Sequence, residues 1–252
     1  MLILIPVTMP KKSAKFDLVE LIDAEIGGKL RDGDVLVISS KFVAISEGRV
    51  VNLSKVRVGD GAKALAAEHH MDPRLCELVL RESDVVMGGI PNFLLASKEG
   101  LLTPNAGIDK SNIGHGKVVL YPRRPEASAR RIREATKFAR GVSIGVVVCD
   151  SRLSPTRRGT TGVAVAASGI DAVLDMRGRS DLFGNVLRVT SQALADDLSS
   201  AAEVLMGESD EATPVVIIRG VGKQVLKDEE YHGGKFAIPV DDDVFLRSIG
   251  YS

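Results

Sequence analysis

Ile144-Gly145-Val146-Val147-Val148-Cys149-Asp150-Ser151 is the stretch on which the fold turns. Its apolar part, Ile144 to Cys149, is the longest clean apolar run near the middle of the chain. A strand that does not alternate apolar with polar residues must be covered on both faces, so the run reads as the central strand of a sheet. It is far short of the ~20 residues that a membrane span needs. Asp150 and Ser151 close it with oxygen donors. A carboxylate where a central strand ends is one way to hold a magnesium ion at a sheet edge, as in the second acidic motif of nucleotide hydrolases.

Upstream, Pro125 opens a helix running to about residue 140. Its apolar face is Ile132, Ala135 and Ala139, and its outer face is basic, with Arg130, Arg131, Arg133 and Lys137. A helix of this kind packs one face and solvates the other. Downstream, 163–167 reads as a strand and 214–218 as another. Between them 190–206 reads as a helix capped by Thr190, with Leu194, Leu198, Ala201, Ala202 and Leu205 on one stripe. The first half adds strands over 2–5, 35–39 and 117–121, and helices over 16–26, 61–70 and from Pro73 onward. Residues 91–107 carry Pro-Asn, Glu-Gly and Thr-Pro-Asn-Ala-Gly and read as loop. No regular βαβ alternation emerges, so the class is α+β.

Lys+Arg is 33 and Asp+Glu is 33, so no bulk charge draws the chain to nucleic acid or to a membrane surface. Trp is absent and aromatics are 4%, which leaves no platform for stacking bases. Met1-Leu2-Ile3-Leu4-Ile5-Pro6 lacks a basic n-region and stops too early for a signal peptide. Cys76 and Cys149 form no CxxC. Together these set the expectation of a cytoplasmic protein with two reduced, buried thiols.

The familiar chemical signatures fail. No Gly-Lys pair is followed by Ser or Thr, so there is no Walker A, and GxGxxG and HExxH are absent. Gly141-Val142-Ser143-Ile144-Gly145 matches GxSxG, but a nucleophile elbow needs its strand before the motif, and here the strand follows. His69-His70 reads as a helix end. What remains is a set of carboxylates. Asp109 lies among the amides and hydroxyls of Thr103-Pro104-Asn105-Ala106-Gly107-Ile108-Asp109-Lys110-Ser111-Asn112. Glu208 follows the long helix in Met206-Gly207-Glu208-Ser209-Asp210. With Asp150 and Ser151 they are hard oxygen donors, suited to a cation shared with substrate phosphates. Arg157-Arg158-Gly159-Thr160-Thr161-Gly162 adds cations and flexible backbone suited to oxyanions.

In order and spacing over about residues 1–220, these pieces resemble the γ-glutamyl ligase family of coenzyme F420 biosynthesis. The carrying segments are Lys41-Phe42-Val43, Glu47-Gly48-Arg49-Val50-Val51, the Asn105-to-Asn112 element, Pro125 to Arg133, Val148-Cys149-Asp150-Ser151, Asp181 to Thr190, Met206-Gly207-Glu208, and Pro214 to Gly220. The resemblance implies a ligase that uses GTP to join L-glutamate to the deazaflavin precursor F420-0, then adds further γ-linked glutamates. It implies Mg²⁺ or Mn²⁺, one ion or two, held by Asp109, Asp150, Ser151 (the family usually has Thr) and Glu208. It implies guanine-nucleotide contacts from Met9, Pro10, Lys11, Lys12, Ser40, Lys41, Asn112, Met206, Gly207, Ser209 and Asp210, and an α+β fold of two intertwined subdomains in a homodimer. Residues 1–220 would form the ligase domain, with 221–252 as an extension packed on it.

The chain departs from the family pattern in two places. A nucleotide-contacting lysine falls on Ile45. The run after Asp150, usually Thr-Phe-Gly-Arg-Pro-Trp-Arg, becomes Ser151-Arg152-Leu153-Ser154-Pro155-Thr156-Arg157, and the Thr-Asp that follows becomes Thr161-Gly162. Arg157 keeps an arginine for an anionic acceptor. The altered loop raises the alternative of a ligase for a different carboxylate, and Ile45 that of a non-catalytic binder of nucleotide or deazaflavin. No residue stands out as the base that takes the proton of the incoming amine.

Overall fold

The computed structural model describes residues 1–222, 226–227 and 236–250. The chain opens with β1 (Ile3–Val7), α1 (Leu18–Ile26), β2 (Val35–Ser39) and α2 (Ser40–Ser46). There follow β3 (Val50–Asn52), α3 (Asp60–His69), α4 (Pro73–Glu82), β4 (Val85–Ile90), β5 (Phe93–Lys98), β6 (Leu101–Pro104) and β7 (Lys117–Val119). The second half holds α5 (Pro125–Arg140), β8 (Gly145–Leu153), β9 (Thr160–Ser168), β10 (Leu174–Asp175), β11 (Ser191–Gln192), α6 (Leu194–Met206), β12 (Val215–Arg219) and α7 (Val244–Ser248). No helix among the described residues is long and apolar enough to cross a membrane.

The main sheet has the order β1-β12-β2-β8-β9, and the α+β class holds. Its one parallel pair is β2 with β8, from Val35 opposite Gly145 to Ser39 opposite Cys149; the other neighbours run antiparallel. Successive side chains of a strand face opposite ways, so an unbroken apolar strand feeds two cores. Leu36, Ile38, Val146, Val148 and Ile217 pack against Ile22 and Ile26 of α1 and Ala129 and Ile132 of α5. Val35, Val37, Val147, Cys149 and Ile218 pack against Leu194, Leu198 and Ala202 of α6. Burying one such Val, Leu or Ile contributes roughly 1.5–3 kcal/mol. Helix ends follow their local chemistry. Asp17 caps α1 through Val19 N and Glu20 N, Asp72 caps α4 with Pro73 in the first turn, and His70 closes α3 in the left-handed conformation.

Residues 91–107 are not loop. They supply β5 and β6 of a three-stranded antiparallel sheet with β4. The Pro-Asn and Glu-Gly pairs are two-residue hairpin corners, with positive φ at Asn92, Glu99 and Gly100. This sheet, α3, α4 and the β3–β7 pair enclose a third core around Cys76, Val79, Leu94 and Val118. Three further expectations shift. The helix expected from Thr190 begins at Leu194, because Thr190 accepts a backbone bond from Met176 and residues 191–192 pair with 174–175. Arg133 is buried rather than on the outer face of α5, and its Nη1 donates to Ser168 Oγ at 3.2 Å. Ala139, expected inward, is exposed.

Residues 176–190 form a hairpin arm, tied by Gly178 N to Leu187 O and Asp181 N to Asn185 O. Leu182, Phe183 and Val189 on it are 100%, 91% and 89% exposed, which no monomeric core explains. The expected extension over 221–252 lies partly outside the described residues; of those described, Leu226 and Phe236 pack against the α6 side of the main sheet.

Candidate active site

The parallel pair sets the site. β2 ends at Ser39 opposite Cys149, and the chain turns at once into α2. β8 does not end there; it runs on to Leu153 beside β9 alone. Asp150 is therefore inside a strand, not at its end as expected, but it is the first residue beyond the β2 edge. Ligands of α/β sheets gather at such carboxyl ends, where neighbouring chains part. A cavity of about 690 Å³ opens here, a volume typical of small-molecule sites. A smaller one of about 310 Å³, between α1 and α5, is lined by none of the expected site residues.

The cavity wall comes from five stretches distant in sequence. Met9, Pro10, Lys11 and Lys12 line it from the segment after β1. Ser40 and Lys41 come from α2, and Asp109 and Asn112 from the segment before β7. Asp150 and Ser151 come from β8, and Met206, Gly207, Glu208, Ser209 and Asp210 from the end of α6 and the turn beyond. Arg157 is the exception: it is exposed on the turn over 154–159 and does not line the cavity.

Asp109, Asp150 and Glu208 are each braced. Ser40 Oγ donates to Asp150 Oδ1 at 2.6 Å, and Arg152 Nε reaches Asp150 Oδ2 at 3.3 Å. The Arg152 side chain is only 5% exposed, and its Nη2 has no partner among the described residues. Lys41 Nζ lies 2.5 Å from Asp109 Oδ2 and donates to Ser111 Oγ at 2.6 Å, while Ser111 N donates to Asp109 Oδ1 at 2.7 Å. Ser151 Oγ and Thr160 Oγ1 donate to Glu208 Oε1 at 2.5 and 2.6 Å. Two further bonds tie the stretches to one another: Asn112 Nδ2 to Ser209 O at 2.6 Å, and Met9 N to Ala212 O at 2.9 Å. Ile45, buried, also lines the cavity, one turn beyond Lys41.

Glu203 is the residue that sequence reasoning missed. It lines the same cavity from α6. Ser151 and Glu208 are its polar neighbours, and among the described residues neither of its buried carboxylate oxygens has a hydrogen-bond partner. Burial pushes it well above the carboxylate range, to about 7, and Glu208 beside it adds to the rise. Burial also acts upward on Glu208, but Glu203, Ser151 and Thr160 outweigh it and hold Glu208 below its ordinary value. A signal was present. Asp196, Ser200 and Glu203 recur at helical spacing beside the apolar stripe. Asp196 accepts from Ala164 N and Ser200 donates to Gly162 O, so this polar row faces β9.

Among the described residues no three acidic, histidine or cysteine side chains converge on one point as a bound cation would require. The donors ring the cavity instead. Their chemistry still fits a hard cation, because all are oxygens, and the orphaned oxygens of Glu203 mark where positive charge is wanting. Cys149, at the cavity's inner wall, is an unreactive thiol pushed far up by burial.

A family model described as F420-0:Gamma-glutamyl ligase matches residues 6–220. A coenzyme F420:L-glutamate ligase of Methanopyrus kandleri is 40% identical over 214 residues, covering 84% of this chain and 84% of that one. One of Methanocaldococcus jannaschii is 37% identical over 217 residues, 86% of each chain. One of Halorubrum lacusprofundi is 40% identical over 209 residues, 81% of this chain and 80% of its own.

Proposed function

The chain belongs to the F420-0:gamma-glutamyl ligase family, and from that premise we propose that it joins L-glutamate to F420-0 in coenzyme F420 biosynthesis, using GTP and Mg²⁺ or Mn²⁺. A carboxylate is a poor electrophile, because its oxygen would have to leave as oxide. Transfer of the γ-phosphoryl of GTP to that oxygen gives GDP and an acyl phosphate. The α-amine of glutamate then attacks the acyl carbon, phosphate leaves with the oxygen, and the amine loses a proton. Further glutamates are added through γ-linkages.

The observation that carries this reading is the ring of braced carboxylates and Lys41 around one cavity at the carboxyl ends of β2 and β8. Asp109, Asp150, Ser151 and Glu208 would hold the cation or cations, which when bound supply positive charge against that developing on the transferred phosphoryl. Ser40 and Arg152 fix Asp150 from two sides, so its orientation is set before substrate arrives. Lys41, held between Asp109 and Ser111, presents a cation to phosphate oxygens. The Asn112–Ser209 bond fixes the spacing of two stretches of nucleotide wall. Ile45 removes a charge from that wall, but Lys41 on the same face of α2 retains one, which favours turnover over mere binding. Arg157, on its exposed turn, would meet an anionic acceptor only at the rim.

The two buried, unpaired thiols suit a cytoplasmic enzyme. The exposed apolar arm over 176–190 supports the homodimer, with a second copy of the chain covering Leu182 and Phe183. The deciding experiment is mass spectrometry of F420-0 incubated with the protein, GTP, Mn²⁺ and glutamate. A product heavier by one glutamyl residue or more, with GDP formed, is expected; unchanged F420-0 would refute the reading.

A further inference from the structure

Glu203 poses a problem that its neighbours do not solve. Asp109, Asp150 and Glu208 each accept at least two bonds or ion-pair contacts, whereas neither oxygen of Glu203 receives any from the described residues. Both oxygens are closed to water. Burying a carboxylate without a donor is costly, and a native protein keeps such a group only for a reason, an absent ion being one. The backbone makes room for it. Gly162 of β9 stands against α6 here: a Cβ there would strike the Ser199 backbone and lie 2.6 Å from Glu203 Oε2. Ser151 and Glu208 are its polar neighbours in the same cavity wall.

Resting on the cation reading above, we propose that Glu203 is a further ligand of the cation that Ser151 and Glu208 hold. The Ser151 hydroxyl and the Glu208 carboxylate are bonded to each other at 2.5 Å. Beside them is Glu203, whose oxygens have no competing donor among the described residues. A divalent cation satisfies both carboxylates at once and relieves the repulsion between them. Ligation also accounts for a carboxylate rather than an amide at this place. If Glu203 merely carried a proton shared with Glu208, glutamine would replace it without loss, since its amide N–H donates where the carboxylic O–H would.

The test is Mn²⁺ titration of the full chain, followed by paramagnetic resonance of free Mn²⁺ and by calorimetry, without nucleotide. Glu203→Gln should weaken the affected ion by at least about 10-fold, since lesser changes around a metal already cost that much. Its thermal midpoint without metal should be no lower than that of the natural chain, because an unpaired buried carboxylate has been removed. Equal Mn²⁺ affinity in the natural chain and a folded Glu203→Gln overturns the proposal while leaving the cation reading intact. Absence of Mn²⁺ binding by the natural chain overturns both. If Glu203→Gln does not fold, Glu203→Asp decides: weakened binding supports ligation, and unchanged binding refutes it.

Discussion

Asp150→Asn is the substitution that probes site and scaffold together. Asp150 is 19% and Arg152 5% exposed in the side chain, at 3.3 Å. Two unit charges at that separation attract by about 5 kcal/mol at an effective dielectric of 20. Desolvation offsets part of this, and the unpartnered Nη2 shows that the pair is imperfect. Replacing the carboxylate by an amide keeps the Ser40 bond but strands a buried guanidinium, at a cost of about 2–3 kcal/mol. For a chain of this size that lowers the melting midpoint by about 4–12 °C. Turnover, assayed well below the transition, should fall at least ~100-fold, because charge is lost where it develops. Adding Arg152→Met should restore most of the midpoint and none of the turnover. Asp150→Asn that melts with the natural chain would refute the buried pair, and near-normal turnover would refute the site.

Chelation should abolish glutamate ligation and Mn²⁺ or Mg²⁺ restore it; full activity in excess chelator contradicts the cation reading. Leu182→Asp with Phe183→Asp should turn a dimer into a monomer in sedimentation at micromolar concentration, and an unchanged sedimentation coefficient would sink the role given to the arm. Arg219→Met should cost about 3 kcal/mol in urea unfolding, because Asp34, 1% exposed, loses both bonds of 2.8 Å from the guanidinium; Asp34→Asn added to it should recover part. A loss below about 1 kcal/mol would show that solvent takes over the partner's task.

The main sheet was legible because its strands are short apolar blocks. The runs at 35–39, 144–149 and 214–218 became β2, β8 and β12. The β4–β5–β6 sheet was not, because Pro-Asn and Glu-Gly serve open loops and two-residue hairpins alike, and only the pairing across them decides. Arg133 was misread because the face that α5 packs on β9 is wider than its aliphatic stripe. At the site, the carboxylates expected at 109, 150 and 208 line one cavity. Their bracing by Ser40, Arg152 and Thr160 was hidden, since each bond joins side chains whose proximity depends on strand register. Glu203 was passed over because a charged residue on a helix flank usually faces water.

The strand order has a consequence for the chain as it is made. β2 lies between β12 and β8, and among the described residues β1 pairs with β12 alone. When β2 leaves the ribosome, neither of its neighbours exists. Its parallel partner follows about 105 residues later, roughly 5–21 s at ordinary elongation rates, and its antiparallel one about 175 residues later, roughly 9–35 s. Until β8 emerges Val35, Leu36, Val37 and Ile38 form an apolar strand with two open edges, and until β12 emerges one edge stays open, the kind of segment that pairs with the wrong chain. Nascent chains halted before residue 215 should therefore stay bound to chaperones, and those extended past residue 219 should be released.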